Sequence, residues 1–176
     1  MSAHPTHPLL PVRLVQGLLN LVASARYRVE GDSMLPTIAG KQHVLVAPLT
    51  FPWNRLHRGD IVLLRHPVLA HRTYIKRVIG LPDEEIRLER GLVYVNGQLL
   101  DEAYLGGQSG NWKGGPQEWW MGPEEYFVAG DNRSDSLDDS RAFGPVNRNL
   151  ILGRVWFRYW PLAAWGPIAR KPRVCR

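Results

Sequence analysis

A serine hydroxyl is too weak a nucleophile to open an amide unless a base takes its proton. The turn "VEGDSMLPTI", Val29 to Ile38, presents such a hydroxyl at Ser33, with Pro36 stiffening the exit. An ordinary structural turn would read the same way, so the base must be sought elsewhere in the chain. There are six histidines, His4, His7, His43, His57, His66 and His71. None sits in a metal-ligand motif or beside a nucleophile in sequence. His66 and His71 bracket a loop, "HPVLAH", in which both are expected to face solvent.

Lys76 is a different kind of candidate. In "TYIKRVIG" strand alternation puts Tyr74, Lys76 and Val78 on one face and Ile75, Arg77 and Ile79 on the other. An amine between an aromatic ring and a valine can be partly desolvated, which lowers its pKa and lets it accept a serine proton. Taken alone, the segment fits a snorkelling surface lysine on an edge strand better.

A third stretch, "GDNRSDSLDDSRAFGPV" from Gly130 to Val146, interleaves Asp131, Arg133, Asp135, Asp138, Asp139 and Arg141 with Ser134, Ser136 and Ser140. Carboxylates and guanidiniums mixed in this way can cross-link a loop through charge-assisted hydrogen bonds. A solvated loop and a carboxylate cation site are the alternatives. The arginines count against the cation, because they compete for the same oxygens.

Such groups need a frame, and short strands supply it. "HVLVAP", "DIVLLRHP", "TYIKRVIGLP" and "ILGRVWFRYWP" are rich in Val, Ile and aromatics and closed by Pro or Gly. "EEIRLERGLVYVNGQLL" reads as consecutive strands turning at Arg90 and Gly91 and again at Asn96 and Gly97, and "EYFVA" as the strand before the charged loop. The fold class is mainly β. Leu105 to Pro123 reads as a Gly-rich loop carrying three tryptophans, too irregular for a strand. Ahead of the strands, Leu9 to Ala25 reads as an amphipathic helix, with Arg13, Gln16 and Asn20 on one face and leucines and valines away from it. It is short and interrupted for a spanning helix. Packing on its own domain and lying in a membrane interface are both open to it. No Lys or Arg precedes the apolar run within a signal-peptide pattern, so a cleaved secretory signal fits poorly.

At 176 residues the chain suits one domain with a short appendage. The net charge of +6 would suit a nucleic acid or an anionic membrane, but most of the excess is dispersed. "RKPRVCR" is the one dense basic run, expected to be solvated. The single cysteine, Cys175, allows neither an internal disulfide nor a cysteine metal cluster.

Taken in order, the three chemical stretches resemble the type I signal peptidase family, membrane-bound serine endopeptidases with a Ser/Lys dyad. "GDSMLPT" is similar to the nucleophile box, "YIKRVIGLP" to the lysine box, and "GDNR" through "DSR" and "FGPV" to the third box; the resemblance runs from about Val29 to Pro161. It implies a signal-peptidase-like catalytic β domain of antiparallel sheets over residues 27–176, behind a membrane-associated helix within 1–26. Ser33 would attack the scissile carbonyl, Lys76 would be the general base, and the Ser33 main-chain N–H would donate to the oxyanion. Gly31 stands where some bacterial members carry a hydroxyl that completes the oxyanion hole, and other bacterial and mitochondrial members also have Gly. Ser136 would orient the lysine amine, with Asp131, Arg133, Asp139 and Arg141 holding the site together. One added residue between "GDNR" and "DSR" makes Asp138 the rival of Asp139 for the acidic role. Val29, Met34, Tyr74 and Ile75 would line pockets for the small side chains of an Ala-x-Ala-like cleavage site. The implied partners are signal-peptide-bearing preproteins and a membrane, with no nucleic acid, metal or cofactor, and the catalytic domain on the outer side of the cell membrane. A catalytically inactive peptide-binding β module and a self-cleaving repressor-type protease are the alternatives.

Overall fold

In the computed structural model the described residues are 10–52, 54–106, 115–170 and 173–174. His4, His7, Leu9, Trp112 and Cys175 lie outside them. Among the described residues one helix, α1 (Leu10–Ala23), precedes thirteen strands. These are β1 (Ala25–Arg28), β2 (His43–Ala47), β3 (Ile61–Arg65), β4 (Thr73–Gly80), β5 (Glu85–Glu89), β6 (Leu92–Val95), β7 (Gln98–Asp101), β8 (Gln117–Trp120), β9 (Glu125–Ala129), β10 (Val146–Asn147), β11 (Ile151–Trp160), β12 (Gly166–Pro167) and β13 (Arg173–Val174). A short helix, α2 (Ser140–Phe143), lies between β9 and β10.

The strands form two antiparallel sheets, as the mainly β reading expected. The larger runs β1-β2-β11-β3-β4-β9-β10, with β12 on β11, and the smaller runs β13-β7-β6-β5-β8. Period-two alternation explains how β3 serves two cores at once. Ile61 and Leu63 join Val29, Met34, Val44 and Ile75 on one side, while Val62 and Leu64 join Val78, Val128 and Ile151 on the other. β4 is buried on both faces from Ile75 to Gly80. A third cluster, including Ile79, Ile86, Leu88, Val95 and Phe127, joins the smaller sheet to β4 and β9. The hairpin turns fall where the sequence puts them, with positive φ at Arg90, Gly91, Asn96 and Gly97, as tight type I′ turns require.

Three expectations are corrected. Gln117–Trp120 is a strand, not loop, paired with β5 from Leu88↔Gln117 to Glu85↔Trp120. An open sheet edge and the packing of Trp119 on Phe127, ring centroids 4.8 Å apart, outweigh the irregular composition. The basic tail is not simply solvated: Arg173 and Val174 pair with Asp101 and Leu100, and Arg170 Nε donates to Asp60 Oδ1 at 2.7 Å. His66 is buried, because its Nδ1 accepts from the N–H groups of Val68 and Leu69 and its ring packs on Tyr74 and Phe143. His71 is exposed as expected.

For α1 the sequence left two roles open. A helix docked on its own domain normally buries its apolar face. Here the polar face docks. Asn20, 7 % exposed, exchanges hydrogen bonds with the side chain of Asn54, and Ser24 links the Asn20 carbonyl to the Trp156 indole N–H. Leu14, Val15, Leu18, Leu21 and Val22 all face outward, Val22 at 79 % exposure. No described helix is long and apolar enough to cross a membrane.

Candidate active site

β1 delivers the chain into the turn that carries Ser33. Val29 N–H donates to the Gln42 carbonyl and Lys41 N–H to the Val29 carbonyl, each at 2.8 Å, and Asp32 Oδ1 accepts from Gly40 N at 2.9 Å. Buried Met34 and Ile38 anchor the far side of the turn in the core. Ser33 is left half-buried, and Gly31 is exposed with φ +74°. Asn132 grips both peptide planes that flank the serine. Its Nδ2 donates to the Asp32 carbonyl at 3.2 Å and its backbone N–H to the Ser33 carbonyl at 3.0 Å. The first of these planes contains the Ser33 N–H, so Asn132 fixes its aim.

Lys76 is not a snorkelling residue. It is 2 % exposed, opposite Val62 on β3, with Nζ 5.5 Å from the Tyr74 ring centroid. Nζ donates to Ser136 Oγ at 2.9 Å, and Ser136 Oγ donates to Asp139 Oδ2 at 2.8 Å. Burial pushes the Lys76 pKa down; the Asp139 and Asp138 carboxylates pull it partly back, and the Arg141 charge adds to the lowering. A neutral amine that spends one N–H on Ser136 keeps a lone pair for another partner.

The loop after β9 is cross-linked rather than solvated. Asp139 caps α2, accepting from the Arg141 and Gly130 backbone N–H groups, and takes a two-pronged ion pair from Arg141 at 2.9 and 2.8 Å. Its burial alone would raise its pKa, but the Arg141 hydrogen bonds and charge outweigh this and hold it below the usual carboxylate range. Arg141 also donates to the carbonyls of Ser136 and Arg133. Arg133 reaches the Gly130 carbonyl and forks onto Glu102. Arg77 forks onto Asp131 at 2.8 and 2.6 Å and lies over the Tyr104 ring. The pairing decides between the two adjacent acids. Asp139 is fully buried in this network, whereas exposed Asp138 accepts from the Tyr74 hydroxyl at 3.1 Å.

Gly130 is where the two halves meet. A Cβ there would lie 2.2 Å from Ser136 Oγ and 2.6 Å from the Ser33 carbonyl oxygen, so the hydroxyl that binds the amine and the turn that carries Ser33 converge on one hydrogen-sized gap. Val29, Met34 and Ile75 form part of one apolar cluster, while Tyr74 projects to the opposite face of β4, beside the amine. Sequence reasoning missed Gly130, Asn132, Glu102, Tyr104 and Arg77 as parts of the site. The first two stand inside the quoted "GDNR", where a glycine and an amide next to charged residues were the available signal. Glu102 and Tyr104 enter from the turn after β7 in the smaller sheet and carried none. Among the described residues no group of three or more His, Cys, Asp or Glu is placed to hold a metal ion.

A half-buried turn serine, a dry amine held by a hydrogen-bonded serine, and an apolar floor between strand edges define a serine peptidase on a β scaffold. The family model described as signal peptidase, peptidase S26, matches residues 6–160. Signal peptidase I of Leptolyngbya laminosa is 37% identical over 93% of this chain and 81% of its own length. Signal peptidase I of Bacillus caldolyticus is 37% identical over 84% of this chain and 85% of its own. The crystal structure of a signal peptidase I from Enterococcus faecalis superposes with a TM-score of 0.50 at 29% identity, covering 57% of this chain and 96% of that one. The chain belongs to the signal peptidase family, peptidase S26.

Proposed function

We propose that this chain removes signal peptides from exported preproteins at a membrane surface, with Ser33 as nucleophile and Lys76 as general base. The observation that carries the reading is the Lys76 amine, buried, hydrogen-bonded to Ser136 and held below the ordinary lysine pKa. Ser33 Oγ attacks the scissile carbonyl carbon as its proton passes to Lys76 Nζ. The Ser33 main-chain N–H donates to the oxyanion; Gly31 offers no side-chain donor there. The ammonium returns the proton to the leaving nitrogen as the C–N bond breaks. Water, deprotonated by the same amine, then opens the ester and frees Ser33. Ser136 and Asp139 aim the amine, while Asp131, Arg133 and Arg141 keep their loop in place. Val29, Met34, Ile75 and Tyr74 receive the peptide, which lies extended beside a strand edge. No observation favours the inactive module or the repressor-type protease.

The test is the pH dependence of preprotein cleavage. Lys76 works as a base only when neutral, so kcat/KM rises with pH through its folded pKa, below the ordinary lysine range. Asp138 is exposed and favours the charged amine. Asp138→Asn is therefore expected to move the rising limb to lower pH. A limb in the ordinary lysine range, or one that moves upward, defeats the assignment of Lys76.

For membrane association the support is α1. A helix of 14 residues is about 21 Å long, short of the roughly 30 Å apolar thickness of a bilayer. With its polar face tied to Asn54 and its leucines outward, it lies flat on the membrane surface and holds the catalytic domain there; the outer side is what the family resemblance implies. Trp120, 71 % exposed, adds an aromatic ring for the same interface, whereas Trp119 is packed on Phe127. The full chain is expected to float with anionic vesicles. Leu18→Asp with Val22→Asp is expected to lower its partition coefficient at least about tenfold. Recovery of the parent chain entirely in the soluble fraction at low salt refutes the anchor.

A further inference from the structure

The charged loop after β9 is gripped from the smaller sheet at one buried ion pair. β7 is paired along both halves, Gln98 and Leu99 with β6 and Leu100 and Asp101 with β13. Its end turns at once. Asp101 Oδ1 accepts from the Ala103 N–H at 3.0 Å, and the Glu102 carbonyl accepts from the N–H of fully buried Leu105 at 2.9 Å. Glu102 therefore stands on a fixed base, and its own side chain is buried. Both Nη atoms of Arg133 donate to its carboxylate, and the Tyr104 hydroxyl donates to Oε1 at 2.9 Å. Burial alone would lower the Arg133 pKa; the Glu102 carboxylate outweighs it and holds it above the usual arginine value.

A guanidinium is planar, so holding one edge of it sets the direction of the other. Glu102 holds the Nη edge of Arg133, and Nε donates to the Gly130 carbonyl at 2.9 Å. Gly130 is the position with room for a hydrogen only, pressed between Ser136 Oγ and the Ser33 carbonyl oxygen. The Arg133 carbonyl in turn accepts from Arg141 Nη1 at 3.0 Å, and Arg141 holds the Asp139 carboxylate that receives the Ser136 hydroxyl. A shift of the Arg133 head is therefore passed to Ser136 and so to the Lys76 amine bonded to it at 2.9 Å. The plainer role for Glu102 is to neutralise a buried arginine. In that role its loss lowers stability and leaves the chemistry of the folded molecules alone.

We propose that Glu102 is a positioning residue for the Ser33 and Lys76 chemistry: from the smaller sheet, through Arg133 and Gly130, it sets the place of Ser136 beside the amine. This rests on the peptidase reading of that site. Glu102→Gln keeps the shape but turns an amide NH2 group toward the guanidinium, so one prong of the fork is lost. The full chain in detergent is assayed on a preprotein peptide, well below the melting temperature of each variant. Glu102→Gln is expected to lower kcat about thirtyfold with KM unchanged, because its side chain touches no peptide. Asp60→Asn is the comparison, a buried carboxylate whose side-chain partners, Arg170 and the His57 N–H, take no part in the site. It is expected to melt lower and keep the parent kcat. Ser136→Ala retains nucleophile and amine, so its cleavage stays measurable; in that background Glu102→Gln is expected to cost less than about threefold more, since its effect runs through Ser136. Where Glu102→Gln does not fold, Tyr104→Phe takes the same test, with kcat expected about fivefold lower and the same cancellation in Ser136→Ala. A kcat within about threefold of the parent, an equal loss in Asp60→Asn, or a further loss of about threefold or more in the Ser136→Ala background overturns the proposal. If the parent cuts no preprotein peptide, the peptidase reading itself fails and this inference falls with it.

Discussion

Replacing Ser33 by alanine is expected to lower kcat for preprotein cleavage about four orders of magnitude or more, and replacing Lys76 by methionine to do the same. Ser33→Ala removes the atom that forms the acyl-enzyme in the proposed mechanism, and no other hydroxyl occupies the turn between Val29 and Met34. Lys76→Met keeps an unbranched chain of similar length in the space against Tyr74 and Ser136 but leaves the Ser33 proton without an acceptor. Groups that act as one unit are not additive, so the double variant is expected to be no slower than either single one. Stability separates loss of chemistry from loss of fold. The folded-state pKa of Lys76 lies below the ordinary lysine value that the unfolded chain keeps. Between those two pH values the unfolded chain holds a proton that the folded chain does not, so the parent loses stability as pH falls through that window. Methionine has no such term, and Lys76→Met is expected to melt no lower than the parent at neutral pH. Cleavage by either single variant above about one percent of the parent rate removes that residue from the mechanism.

Gly130→Ala is expected to cost about two orders of magnitude in kcat, although position 130 touches no substrate in this mechanism. Its Cβ would stand 2.2 Å from Ser136 Oγ and 2.6 Å from the Ser33 carbonyl oxygen, far inside contact distance, so one or both must retreat. Retreat of Ser136 frees the amine from its 2.9 Å hydrogen bond; retreat of the Ser33 carbonyl breaks its 3.0 Å bond to Asn132 N and turns the nucleophile. Either displacement is of the size that ruins the alignment of a hydroxyl for attack on a carbonyl carbon. Single-turnover cleavage with a melting curve measures the effect. A folded Gly130→Ala chain that cleaves within threefold of the parent would show that the convergence on Gly130 has no part in catalysis.

Much of this protein was legible in the residues themselves. Alternation in "DIVLLRHP" and "TYIKRVIG" set the faces of β3 and β4, and the Arg90-Gly91 and Asn96-Gly97 pairs set the hairpins, because backbone geometry there depends on adjacent residues alone. The three ordered stretches pointed to Ser33, Lys76 and the charged loop. Alternation names a face but not what covers it, and that limit explains the misses. It could not say that Lys76 is dry, which depends on Ser136 and Asp139 arriving from a loop sixty residues on. Nor could it find Glu102 behind Arg133, the bonds that bury His66, or the edge on which Gln117–Trp120 pairs. Helical periodicity likewise gave α1 two faces and left open which one docks; the Asn20–Asn54 amide pair turned the polar face inward. Short-range torsional preferences and side-chain period are written along the chain, so sequence alone determined the central strands, the hairpin turns and the candidate groups. Solvent exclusion and hydrogen-bond partnership arise between distant segments, so only the tertiary structure decided which of those groups lost its water and what it met there.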